Sequence, residues 1–243
     1  MARKKVVFVI VEGPSDDDAL GVILSRIYDK NTVYVEIMHG DITTDFNISP
    51  IDIVSALGDI VKNYAVSRHF RQEHFQQVIH LVDMDGAYIP DTAVVENSQA
   101  KKPLYTEKEL QTSRPEQIIK RNRHKQDKLN RIQKLKTVWG NIPYQVYYMS
   151  CNLDHALYGK LNSSDEDKER DAYAFSRKYK DDIYGFLSFI SDSEFSVSSG
   201  YRESWEFIKQ GTHSLERHTN FGLCFDAIYK ARFCSSALRS EER

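Results

Sequence analysis

The sequence predicts an α/β fold on a parallel sheet, and three observations carry that prediction. Lys5 to Val11 is a continuous apolar run of β-branched and aromatic residues, and Phe75 to Val82 and Ile142 to Met149 are further strand-length stretches dominated by such residues. Runs of this kind suit strands covered on both faces. Helical periodicity on either side of a further strand, Thr32 to Met38, gives the alternation βαβαβ up to Val82. Each run also stops abruptly at polar residues and turn signals, as strand ends in such folds do.

The first strand ends at Glu12-Gly13-Pro14. Ser15 reads as an N-cap, Asp16, Asp17 and Asp18 occupy the first turn, and Ala19, Leu20, Ile23, Leu24 and Ile27 form a helical stripe. A second strand is expected over Thr32 to Met38. A second helix follows from about Ser49 to Phe70, with Ile51, Val54, Leu57, Ile60, Val61 and Tyr64 at helical spacing. The third strand, Phe75 to Val82, runs straight into Asp83-Met84-Asp85-Gly86. Residues 87–112 show no clear period. Arg114 to Val138 reads as a long basic helix with a sparse stripe of Ile118, Ile119, Leu129, Ile132 and Leu135. After the fourth strand come Ser150-Cys151-Asn152-Leu153-Asp154-His155 and a tail with helical segments near 168–190, 201–209 and 219–233.

Composition narrows the class. The chain has 243 residues, enough for a full core. Cys151, Cys224 and Cys234 have no CxxC spacing and cannot all pair within the chain, which favours a reducing, cytoplasmic setting. The opening MARKKVVFVIVEG has a basic end and an apolar run, but Glu12 interrupts it after six residues, so it is read as a strand and not a signal peptide. No stretch approaches the ~20 apolar residues of a membrane span. The formal net charge is −2, yet residues 101–136 hold twelve Lys or Arg against four acids. That local excess of eight positive charges leaves the rest of the chain about ten net negative, a footprint suited to a polyphosphate partner such as nucleic acid.

Ligands of open α/β sheets bind outside the carboxyl ends of the strands. Glu12, Asp83, Asp85 and Asp154 all end or follow predicted strands there. Adjacent strands lie ~4.8 Å apart, so the carboxylates would crowd and raise one another's pKa. A hard divalent cation, Mg²⁺ or Mn²⁺, relieves that conflict. Asp17 and Asp18 are expected to serve the helix dipole only. His80 is expected to be a satisfied core histidine, and His39 and Asp41 could line the cleft.

The VEGPSDDDAL stretch, followed on a later strand by Asp83-Met84-Asp85-Gly86, resembles the toprim domain of topoisomerases, primases and the OLD-family and RloB-like nucleases of bacterial defence systems. The resemblance spans roughly residues 4–86 and 142–155. It implies a toprim-like (Rossmann-like) parallel sheet of about four strands flanked by helices. Residues 1–155 would form that domain, with a basic helical insertion at about 87–141 and a helical extension over 156–243. It further implies that Glu12 acts as metal ligand or general base, that Asp83 and Asp85 bind metal, and that Asp16 supplies the additional acid of the nuclease branch. Residues 150–155 look like a divergent form of the Ser-Asn-Pro…Glu element of RloB-like proteins, which brings in Asp154.

The chemistry implied is metal-dependent cleavage of a phosphodiester, with two Mg²⁺ or Mn²⁺ ions, in a phage-defence or nucleic-acid-processing setting. Toprim proteins of the OLD type work beside an ABC-type ATPase, on the same chain or a separate one, so the resemblance implies a separate ABC-type ATPase as partner. The basic helix, through Arg114, Lys120, Arg121, Arg123, Lys125, Lys128, Arg131 and Lys134, would grip the nucleic-acid backbone. Two rivals are weighed. One is a toprim scaffold that binds nucleic acid or a partner protein without cutting. The other is a haloacid-dehalogenase-like phosphatase, which the DMDG sequence also resembles, although that family places the motif on its first strand.

Overall fold

The computed structural model describes residues 4–28 and 31–230. Four parallel strands form its centre: β1 (Lys5–Val11), β2 (Val33–His39), β3 (Phe75–Asp83) and, in chain order the eighth, β8 (Ile142–Ser150). Their spatial order is β2-β1-β3-β8. Two short antiparallel strands, β7 (Thr137–Val138) and β9 (His218–Thr219), pair with β8 and make the sheet mixed.

Strand β1 is apolar over residues 6–11 because both its faces are covered, whereas the half-buried β2 carries Tyr34 and Glu36 and β3 admits Gln76, Gln77 and His80. On β1, Val7, Val9 and Val11 pack under α1 (Pro14–Ile27), α5 (Asp165–Tyr179) and α6 (Ile183–Asp192). The alternate residues Val6, Phe8 and Ile10 pack under α2 (Ile53–Ser67), α3 (Pro115–Ile132) and α7 (Tyr201–Ile208). The period-2 geometry of a strand sends successive side chains into these two cores. No helix among the described residues is long and apolar enough to cross a membrane.

Several expected boundaries move, for local reasons. The first helix starts at Pro14 and is capped from Gly13, not Ser15, because the Asp16 carboxylate accepts the backbone N–H groups of Glu12 and Gly13. The second starts at Ile53, since Ser49 and Asp52 close a turn upstream. The basic helix ends at Ile132, and residues 133–136 lead into β7. The aperiodic stretch contains a small separate sheet of β4 (Val94–Glu96), β5 (Leu104–Tyr105) and β6 (Leu110–Thr112). A short α4 (Leu153–Tyr158) follows β8 directly. The expected helix near 168–190 is two, because Asp182 caps α6 anew by accepting the Gly185 N–H. The expected helix at 219–233 opens instead as β9 and a 3-10 turn over Phe221–Phe225, and its residues 231–233 lie outside the described residues.

Candidate active site

Between β1 and β3 the chain reverses its direction of travel across the sheet. The connection from β1 through α1 leads outward to β2, and the one from β2 through α2 leads back past β1 to β3 on the opposite face. Such a switch point opens a crevice at the strands' carboxyl ends. Glu12 follows β1 directly, Asp83 is the last residue of β3, and Asp85 lies two residues further in a tight turn. Both Asp85 and Gly86 have positive φ there, 49° and 68°. A Cβ on Gly86 would meet Leu215 Cδ2 at 2.7 Å, so this position requires glycine.

Each acid in the crevice is held by one oxygen. Glu12 Oε1 accepts the Asp83 N–H at 2.9 Å, which ties β1 to β3. Asp16 Oδ2 accepts the N–H groups of Glu12 and Gly13 at 3.1 and 3.0 Å. Asp83 Oδ1 accepts the Leu153 N–H at 3.0 Å, and Asp85 Oδ2 accepts from Lys125 Nζ at 2.6 Å. The other oxygen of each, Glu12 Oε2, Asp16 Oδ1, Asp83 Oδ2 and Asp85 Oδ1, accepts no hydrogen bond from the described residues. Four carboxylates thus have fixed orientations and one uncommitted oxygen apiece.

Burial and mutual repulsion set their electrostatics. Burial pushes the Glu12 carboxyl well above its ordinary range; Lys125 opposes the shift, while Asp41 and Asp85 add to it. Asp83 is raised likewise by burial and then by Glu12, Asp16 and Asp85. Asp16 is pushed up to about 6, chiefly by burial. Asp41, which the sequence placed at the cleft, is a fifth carboxylate of this group. Burial raises it, but Lys125 and the hydroxyls of Thr44 and Thr43 outweigh that and hold it below its usual value.

The counter-charge comes from α3, where the expectation of a phosphate-gripping helix needs correction. Lys125 is completely buried, 2.6 Å from Asp85 and 3.7 Å from Glu12. Burial alone would lower its pKa, yet Asp85, Glu12 and Asp41 raise it, so it is a fixed ammonium. Lys128, equally buried, donates to the carbonyls of Ile42 at 2.9 Å and Asp45 at 2.6 Å. Arg121 donates to the Asp85 carbonyl at 2.7 Å, while Asn122 and Gln126 bind the carbonyls of Gly86 and Ala87. One face of α3 therefore clamps the Asp85 turn and the 41–45 loop. Lys125 and Lys128 have no surface left to offer a nucleic-acid backbone. Arg114, Lys120, Arg123, Arg131 and Lys134 remain exposed, with Arg123 paired to Asp91.

Asp154 is buried beside the crevice at the start of α4. Its charge acts on Asp16, and its own surroundings are Ser163, Lys160, Lys168 and Asp171. His80 is only half satisfied. Its Nδ1 meets the Tyr144 hydroxyl at 2.9 Å, whereas the buried Nε2 has no hydrogen-bond partner among the described residues. Burial lowers it to about 4, so it is neutral at pH 7. Sequence reasoning missed two contributors: the Leu153 N–H that orients Asp83, and the inward course of Lys125. Only the i, i+3/i+4 spacing of Ile118, Asn122, Lys125, Leu129 and Ile132 could have signalled the latter.

Hard oxygen donors, each fixed through its other oxygen, are the donor set of a hard divalent cation such as Mg²⁺ or Mn²⁺. Among the described residues no three acidic, histidine or cysteine side chains already converge as a ready-made metal site. In comparisons with protein-family models, curated proteins and solved structures, nothing matches this chain.

Proposed function

We propose that this protein is a toprim-like, Mg²⁺- or Mn²⁺-dependent nuclease whose active site is the crevice between β1 and β3. One observation carries the reading: Glu12, Asp16, Asp83 and Asp85 lie around the switch point of a parallel sheet, near enough for the other three to act on the charge of Asp83, each fixed through one oxygen and uncommitted at the other. Glu12, Asp83 and Asp85 would hold the cation, with Asp16 beside them. A bound divalent ion supplies Lewis-acid activation of water and charge stabilisation at a phosphoryl oxygen. The chain's own part is to fix the ligand oxygens. Glu12, oriented by the Asp83 N–H on its Oε1, would serve as metal ligand or general base. Exposed cations on the outer side of α3 would meet the nucleic-acid backbone, and a separate ABC-type ATPase would gate the activity.

A binding-only scaffold is the second reading, favoured by one observation. Lys125 already neutralises part of the cluster without any ion. The two readings separate in one experiment. Wild-type protein and the Asp83→Ala/Asp85→Ala double variant are incubated with labelled plasmid, single-stranded DNA and total tRNA, with Mg²⁺, Mn²⁺ or EDTA. The nuclease reading expects metal-dependent cleavage of at least one substrate, reduced about 100-fold or more in the variant, the upper end of what removing a single supporting group costs. Binding of nucleic acid with no cleavage under any metal would establish the scaffold instead.

A further inference from the structure

We infer that Lys125 is a built-in cation that takes the place of a second metal ion, so that the crevice accepts one divalent cation per chain. The inference rests on the metal-dependent reading of the same crevice, and it replaces the pair of ions that the toprim resemblance implies.

Geometry carries it. A two-ion site needs carboxylates that both ions can share, and Glu12, which follows β1, and Asp85, in the turn after β3, are the bridging candidates. Lys125 Nζ stands between them, 2.6 Å from Asp85 Oδ2 and 3.7 Å from Glu12 Oε1. Those two oxygens already serve the ammonium. A second dication there would lack both and face a positive charge at close range in a buried site.

Nor can the lysine swing aside. Its side chain is wholly buried, and the helix that bears it is fastened on both sides of it. Arg121, Asn122 and Gln126 bind three successive carbonyls of the 85–87 turn, and Lys128 binds two carbonyls of the 41–45 loop. Freeing Lys125 would mean lifting α3 from the sheet. The oxygens left free, on Glu12, Asp16, Asp83 and Asp85, would be the ones open to a single hard cation, which would complete its shell with water and phosphate. The neighbouring ammonium then balances the charge on Glu12 and Asp85 that a second ion would otherwise balance.

The test counts ions. Mn²⁺ bound per full-length chain is measured by isothermal titration calorimetry and by the decrease of the free-ion electron paramagnetic resonance signal. Three proteins are compared: wild type, Lys125→Met and Asp83→Ala/Asp85→Ala, each checked for folding by circular dichroism. The expected counts are one, two and none. Two ions in the wild type overturn the inference and leave the metal reading standing. No ion in the wild type overturns both. One ion in wild type and in folded Lys125→Met also overturns it, because the lysine would then not be what excludes the second. Should Lys125→Met fail to fold, the wild-type count decides.

Discussion

The two sides of α3 carry the same kinds of residue and do opposite things. Toward the sheet, Arg121, Lys125 and Lys128 end on named acceptors: the Asp85 carbonyl, the Asp85 and Glu12 carboxylates, and the carbonyls of Ile42 and Asp45. Toward solvent, Lys120 and Arg131, with Lys134 just past the end of the helix, form no ion pair with any described residue, and Arg123 meets only the exposed Asp91. Inner cations are therefore structural counter-charges of the crevice, and outer ones are a field open to a partner. Cations buried beside acids contribute by removing a large penalty, whereas exposed cations contribute little to stability and much to long-range attraction.

Lys125→Met should break the inner side most severely. Removing one partner of a buried ion cluster costs about 3–5 kcal/mol because the remaining charges stay uncompensated. Urea denaturation in EDTA at pH 7 checks this. A destabilisation below about 1 kcal/mol would mean that Lys125 does not hold Glu12 and Asp85 in this way.

Next in size is a pH effect. Burial puts Asp16 at about 6 in the folded chain against 3.8 ordinarily, so folding favours its protonated form. Its stabilising contribution is full below about pH 4 and fades as pH rises through about 6. Asp16→Asn keeps an acceptor for the two backbone N–H groups and removes the charge. The variant should gain on wild type by up to about 3 kcal/mol between pH 4 and pH 7 in EDTA. A stability difference that does not change with pH would show that Asp16 is not desolvated. Lys128→Met comes third. It strands the carbonyls of Ile42 and Asp45 and should cost about 1–3 kcal/mol, read from the same urea transitions.

How much of this was legible in the sequence follows from residue chemistry. β1 and β3 were readable as central strands because residues 6–11 and 78–82 are buried on both faces and, His80 apart, are apolar. Glu12, Asp83 and Asp85 were readable as a site because acids interrupt those runs where the strands must end. Asp41 carried a local signal too, since Asp-Ile-Thr-Thr lets the carboxylate accept the N–H groups of Thr43 and Thr44. The inner face of α3 was hidden. Lysines at 125 and 128 fill a core-facing stripe, and a pattern of apolar residues alone assigns such positions to solvent. Strands β4, β5 and β6 were hidden for another reason: runs of two or three residues are too short to show a period.

The smallest effect on stability is expected on the outer face, and it sharpens the contrast most. Arg123→Ala removes an ion pair whose members are both exposed, and should change stability by no more than about 0.5 kcal/mol. The triple variant Lys120→Ser/Arg131→Ser/Lys134→Ser should likewise keep the urea midpoint of wild type. Its effect belongs to binding. If these cations neutralise phosphates, the slope of log affinity against log salt should flatten by about one unit for each phosphate no longer neutralised. Fluorescence anisotropy with labelled single- and double-stranded oligonucleotides, in EDTA so that nothing is cut, measures that slope. An unchanged slope would remove the outer face from the nucleic-acid interface and leave α3 with its inner role alone, as the clamp that delivers Lys125.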